Sequence, residues 1–183
     1  DAYVRSVRPG WIIGSSRVEK HIELRNGRLV TVEHRSKPAG GNLAGYEGLE
    51  FSVTIGEQTI TSRAGDWALL EAQSRRVSDG VLALSVRLEG YGLEVTKTYT
   101  VYAGVSIIRE RTEFRNVGAV DVSLVSPQFL DTALRLPGED AVDFLWMTGG
   151  ANQPGSWTLK REAFGAARAR RFDSCARMDY GWL

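Results

Sequence analysis

The chain has 183 residues, a formal net charge of +1, 43% hydrophobic and 25% charged residues. That length supplies one sizeable core, and the near-neutral balance gives no electrostatic reason to expect nucleic acid or an anionic membrane surface as partner. No apolar run is long enough to cross a bilayer as a helix, and the opening residues do not read as a signal peptide, although a trimmed chain would look the same. Secreted, periplasmic and cytoplasmic placements are all compatible. Cys175 is the only cysteine, which excludes an intrachain disulfide and a zinc site built on several thiolates. Nothing in the composition calls for a cofactor. Twenty glycines and five tryptophans point to short strands, many turns and exposed aromatic surface.

Along the chain the dominant period is two. Asn26-Gly27 is the clearest hairpin signal, because both residues tolerate the positive φ of a two-residue turn. Extending that turn in strict register sets Glu23 opposite Val30, His21 opposite Val32 and Glu19 opposite His34. Glu19, His21, Glu23 and His34 then share one sheet face. Leu49, Phe51, Val53 and Ile55 alternate with Glu50, Ser52 and Thr54, which predicts one strand with an apolar face and a watered face. After the turn Ser78-Asp79-Gly80 the pattern returns in Leu82, Leu84, Val86 and Leu88. Further strands are expected over Leu93–Tyr102 and Ser106–Arg115, with Asn116-Val117-Gly118 turning the chain into Val120, Val122 and Leu124. Helix signals are poor: only Glu162–Arg171, with Gly165 inside it, is a candidate. The expected fold is therefore all-β, an antiparallel β-sandwich over residues 1–183 with at most one short helix. Ser36–Gly48 and Thr148–Ser156 read as long surface loops. The end Tyr180-Gly181-Trp182-Leu183 fits either an edge strand docking on its own sandwich or a domain excised from a longer protein.

Candidate chemistry is sparse. His21 and His34 beside Glu19 and Glu23 could supply a general base or part of a metal site, but no third ligand or nucleophile stands at recognisable spacing. A solvated face with a Glu19–His34 ion pair is the simpler expectation, and no metal site is assigned. Asp131, Glu139, Asp140 and Asp143 flank the turn Pro137-Gly138, so loop solvation explains them more simply than paired-carboxylate hydrolysis. No Gly-x-Ser-x-Gly elbow or phosphate-cradling loop occurs, and Cys175 has no motif around it. Of Trp11, Trp67, Trp146, Trp157 and Trp182, most are expected in the core. Trp157 is the best ligand-contact candidate, with Asn152 and Gln153 as amide donors in the Gly149–Ser156 loop before it.

The order of segments is itself informative. Trp11-Ile12-Ile13-Gly14 leads into Val18-Glu19 and the Asn26-Gly27-Arg28-Leu29 hairpin. Glu50-Phe51 and Trp67 follow, then Tyr99-Thr100-Val101-Tyr102-Ala103-Gly104, Ile107-Ile108-Arg109 and Phe114-Arg115-Asn116. This set resembles the N-terminal β-supersandwich, galactose-mutarotase-like, of α-galactosidase-like glycoside hydrolases of family 36, with Ala103 where proline is common. The resemblance covers most of residues 11–125. It implies a non-catalytic accessory domain that packs on a catalytic (β/α)8 barrel of the same polypeptide, helps in oligomerisation and shapes one side of a sugar cleft. The catalytic aspartates of such enzymes lie on the barrel, so no catalytic residue is carried over. The rival expectations are a free-standing aldose-mutarotase-like enzyme, a sugar-binding module and a purely structural interaction domain.

Overall fold

Asn26 and Gly27 both adopt positive φ, at 51° and 68°, and this left-handed pair reverses the chain as the sequence requires. The structure, a computed structural model, describes residues 1–44, 47–128, 143–148 and 158–163. Around the hairpin the first sheet assembles in chain order from β1 (Tyr3–Val7), β2 (Gly10–Gly14), β3 (Val18–Arg25), β4 (Arg28–Ser36) and β5 (Gly48–Leu49). A three-stranded sheet runs in the order β12 (Leu124–Gln128), β6 (Ser52–Ile55), β7 (Gln58–Thr61). The third sheet has β8 (Ala68–Ser78) at one end, then β9 (Val81–Gly90), β10 (Leu93–Tyr102) and β11 (Ile108–Asn116). Tight turns at Asp79-Gly80 and Tyr91-Gly92 close its hairpins, with positive φ at Gly80, Tyr91 and Gly92. Among the described residues every pairing is antiparallel and no sheet closes into a barrel. The chain is an all-β protein with a sandwich arrangement.

The chain divides into two compact units, Asp1–Arg135 and Leu136–Leu183. The second contains the hairpin β13 (Asp143–Thr148) with β14 (Thr158–Ala163), paired from Asp143 with Ala163 to Thr148 with Thr158. Glu162 and Ala163, where a helix was expected to begin, are the last residues of β14, and the rest of that expected helix lies outside the described residues.

The core of the first unit draws on all three of its sheets. Trp11, Ile13, Ile22 and Leu29 come from the first, Val53 and Ile60 from the second, and Leu84, Val86, Leu88, Val95 and Tyr99 from the third. Phe51 and Trp67 lie between strands and seal the junction, their rings edge to face at 5.1 Å, with Tyr91 packing on Trp67 at 5.3 Å. Burial of each such side chain contributes about 1.5–3 kcal/mol. Trp11 and Trp67 are thus core residues, as expected for most of the tryptophans, and do not form the exposed aromatic surface that the composition suggested.

Two sequence expectations need correcting. Leu49–Ile55 is not one strand: the chain leaves the first sheet after Leu49 and enters the second at Ser52. Glu50, expected on a watered face, sits at that crossing and is fully buried, and Ser52 is buried too. The first hairpin also departs from strict register. Glu23 opposes Val30 as expected, but a bulge at Val32 shifts everything beyond it. His21 consequently faces Glu33, Glu19 faces Arg35, and His34 faces Lys20.

Candidate functional site

A bulge inserts one unpaired residue, so side chains beyond it exchange faces relative to strict alternation. His34 is thereby removed from the face of Glu19, His21 and Glu23 and set on the inner face beside Lys20. The expected Glu19–His34 ion pair does not form. Glu19 instead accepts a hydrogen bond from Tyr3 and pairs with Arg5 at 3.4 Å and Lys37 at 3.7 Å. Burial raises its carboxyl, but the Tyr3 hydrogen bond and these cations outweigh that and hold it below the ordinary value. His21 keeps a carboxylate neighbour: its Nε2 lies 3.7 Å from Glu23 Oε1.

Among the described residues the densest group of ionisable side chains is one that the sequence pattern alone does not single out. Lys20 occupies the inner face of β3 between buried Val18 and Ile22. Lys97 occupies the inner face of β10 between Val95 and Tyr99, and Glu110 of β11 stands directly across from Tyr99. These strands, with the Glu50 crossing, converge on one point. Lys20 Nζ lies 2.5 Å from Glu110 Oε1 and 3.2 Å from Glu50 Oε1. Lys97 Nζ lies 2.9 Å from Glu110 Oε2 and 3.7 Å from Glu50 Oε2, and donates to the Glu50 carbonyl at 2.8 Å. Tyr99 donates to Glu50 Oε2 at 2.6 Å, Thr31 donates to Glu50 Oε1, and the Ser62 hydroxyl receives the Glu50 amide at 2.9 Å. Both ammonium groups also lie over the Tyr99 ring, at 5.1 and 5.6 Å from its centre.

Two lysines against two glutamates make the cluster neutral, which is the condition for charges to persist in a core. The side chains of Lys20, Glu50 and Lys97 are 1%, 0% and 0% exposed, and Glu110, at 13%, is the member nearest solvent. Burial pushes the Glu50 carboxyl up, but Lys20 and Lys97, with the Thr31 and Tyr99 hydrogen bonds, more than reverse this and hold it below its ordinary value. Burial likewise pushes Lys20 down, and Glu50 and Glu110 reverse it, leaving Lys20 above its ordinary value. Tyr99 is driven well up by burial and by the two carboxylates, so it stays a donor. His34 at the margin is pushed down by burial and by Lys20, against the opposing pull of Glu110 and Glu50.

Chemically this is a clamp. A general acid or base works best with its pKa near the working pH, and here Glu50, Lys20 and Tyr99 are all moved away from neutrality. The Glu50 carboxylate is occupied on both oxygens by protein donors. The signal for the cluster was present in the sequence: Lys20 and Lys97 sit at positions where the alternating pattern calls for apolar side chains.

Two further concavities lie among the described residues. An open groove of about 480 Å³ runs beside Val7, Pro9, Trp11, Leu24 and Leu69. A small depression between Glu71, Gln73, Ser85 and Arg87 lies on the outer face of the third sheet. Among the described residues no group of three or more His, Cys, Asp or Glu side chains is placed to hold a metal ion. Trp157, Asn152 and Gln153, the sequence-derived sugar-contact candidates, lie outside the described residues, as do Asp131, Glu139, Asp140 and Cys175. Asp143 begins β13. Comparison with protein families, with curated proteins and with solved structures finds no match to this chain.

Proposed function

We propose that the chain is a non-catalytic β-sandwich domain of a carbohydrate-active enzyme of the α-galactosidase-like kind, a scaffold that packs on a catalytic barrel and shapes one side of its sugar cleft. The observation that carries this reading is the closure of the Lys20–Glu50–Lys97–Glu110 cluster. The richest acid and base array among the described residues is neutral, internally ion-paired and largely shut away from solvent, as suits a scaffold rather than a reaction centre. The ordered set from Trp11 to Asn116 supplies the link to carbohydrate chemistry, and Trp157, Asn152 and Gln153 are the residues assigned to sugar contact. The test pairs an activity assay with a titration. The 183-residue chain is expected to leave aryl α-galactosides intact and to bind galactosides with a tryptophan fluorescence change that Trp157→Ala removes. Turnover by this chain that disappears with a carboxylate substitution such as Glu23→Gln overturns the proposal.

One observation favours a second reading. His21 and Glu23 form a half-buried imidazole–carboxylate pair, the minimal acid–base equipment of a mutarotase-like enzyme. Polarimetry of galactose mutarotation separates the two: a rate above buffer that falls with His21→Ala favours the enzyme, and a rate equal to buffer favours the scaffold.

A further inference from the structure

Strand β8 is exposed along all eleven of its residues, on both faces, and it is the last strand of its sheet. Its outward N–H and C=O groups therefore form a template for another strand. Three of the large hydrophobic side chains left exposed, Leu69 at 45%, Leu70 at 43% and Val77 at 48%, lie on this one strand. Natural edges of this length are usually guarded by charges or bulges. The bulges here fall at Leu70 and Val77 and leave Glu71–Arg76 in regular register with β9. The guard charges fall in a pattern that matches itself.

We propose that β8 pairs antiparallel with β8 of a second copy of this chain, about a two-fold axis at Gln73. An isologous two-fold contact opposes each residue to its mirror position along the strand and keeps side chains on their own face. Centred on Gln73, the register sets Glu71 against Arg75 twice and Ala72 against Ser74 twice, all within the stretch between the bulges. Glu71, Gln73 and Arg75 share the outer face, since they oppose Arg87, Ser85 and Ala83 of β9. Neighbouring registers lose this match. Centring on Ala72 sets Glu71 against Gln73, and centring on Ser74 sets Arg75 against Gln73, so neither brings Glu71 and Arg75 together. Centring on Glu71 or Arg75 brings like charges face to face, which is destabilising. The Gln73-centred pairing gives a continuous eight-stranded sheet across the dimer. This inference does not rest on the accessory-domain reading.

The test is sedimentation of the 183-residue chain across the micromolar range. The wild-type chain is expected to dimerise. Arg75→Glu and Glu71→Arg, each of which turns two symmetric attractions into two repulsions, are each expected to raise the dimer Kd about tenfold or more. The combined variant, Glu71→Arg with Arg75→Glu, restores both cross-copy attractions and is expected to dimerise more tightly than either single variant, short of wild type because the Glu71–Arg87 pair within each copy, at 3.1 Å, is lost. Both positions are exposed, so far-UV circular dichroism is expected to be unchanged in all three. Hydrogen exchange supplies a second readout: the outward amides of Glu71–Arg76 gain protection as concentration rises. A wild-type chain that stays monomeric, single variants that dimerise as wild type does, or a combined variant no better than the singles overturns the proposal.

Discussion

Lys20 and His34 stand directly opposite each other across β3 and β4, one residue out of the register that the Asn26-Gly27 turn alone would set. The bulge at Val32 makes this opposition, since Thr31, the residue before it, and His34, two residues after it, both face inward. Deleting Val32 is expected to leave Thr31, Glu33 and His34 on their present faces, because simple alternation then reproduces the bulged arrangement. Stability is expected to change by no more than about 1–2 kcal/mol. Titration of the His34 ring protons by NMR checks this. A pKa still below the ordinary imidazole value supports the argument, and a return to that value sinks it.

The buried cluster makes a sharper prediction. Lys97→Met removes one positive charge and leaves Glu50 and Glu110 sharing Lys20. Breaking a buried pair in this way is expected to cost about 3–5 kcal/mol. Adding Glu110→Gln to it restores neutrality through the remaining Lys20–Glu50 pair, 3.2 Å apart. The double variant is thus expected to be more stable than Lys97→Met alone. Urea unfolding of wild type, both single variants and the double variant measures this coupling. Simple additivity would contradict a shared charge balance.

These two sites show what the sequence carried and what it concealed. Leu93–Tyr102 was legible to the residue, and so was the Asn26-Gly27 turn, because alternation and turn chemistry are local. Glu50 was misread because its burial depends on Lys20, 30 positions earlier, and Lys97, 47 positions later. No local pattern distinguishes a carboxylate meeting water from one meeting two ammonium groups. The bulge at Val32 was invisible for a similar reason: nothing in the surrounding residues marks the extra one, and its consequence, the Lys20–His34 opposition, arises only once both strands are paired. Lys20 and Lys97 did leave a trace, since each interrupts a row of apolar residues on the inner parity of its strand.

Gly10 offers a purely steric test. A Cβ added there would lie 1.9 Å from the Ile22 carbonyl oxygen on the neighbouring strand. Backbone cannot swing aside as a flexible side chain can, so Gly10→Ala is expected to destabilise by about 2 kcal/mol or more. Gly40 is the contrast: φ is +71° there, with nothing within 4 Å of an added Cβ. Gly40→Ala meets only the left-handed backbone penalty, about 1–2 kcal/mol. Thermal melts of the two variants check the order, and a Gly10→Ala melt equal to wild type would refute the close strand approach.

Trp67 joins the sheets and reports on them. Its ring is buried against Phe51 and Tyr91, and its Nε1 donates to the Thr61 carbonyl at 2.9 Å. Trp67→Ala is expected to cost about 3–5 kcal/mol through the cavity it leaves. Trp67→Phe retains much of the volume and removes only one of the two donors to the Thr61 carbonyl, which keeps the Ala64 amide at 3.0 Å, and is expected to cost less. Denaturant midpoints give the ranking, and equal losses for the two would show that the ring volume is not what matters.

Acid sensitivity follows from His34 and Glu50 in sequence. His34 lies below its ordinary value of 6.5 in the folded state, so the unfolded chain takes up a proton first as pH falls. Folding is therefore weakened as pH drops below 6.5. Glu50 lies below its ordinary value of 4.5, so the stability it contributes is whole above 4.5 and is lost as pH falls through its folded value. On the alkaline side Lys20 lies above 10.5 when folded and Tyr99 well above 10.0. In both cases the folded chain holds its proton longer than the unfolded one. The Tyr99 contribution is thus lost progressively above 10.0, and that of Lys20 above 10.5. Of the groups facing His34 and Lys20 from the packed strands, which are Glu50, Glu110, Lys97 and Tyr99, Glu50 stays ionised and Tyr99 stays protonated between these limits. A plateau of stability is thus expected from pH 6.5 to pH 10.0, with a first decline below 6.5 that His34→Gln abolishes and a steeper one below 4.5 that it leaves intact. Urea midpoints measured across this range for wild type and His34→Gln decide the matter, and a wild-type midpoint that stays flat from 6.5 to 4.5 would remove His34 from the account.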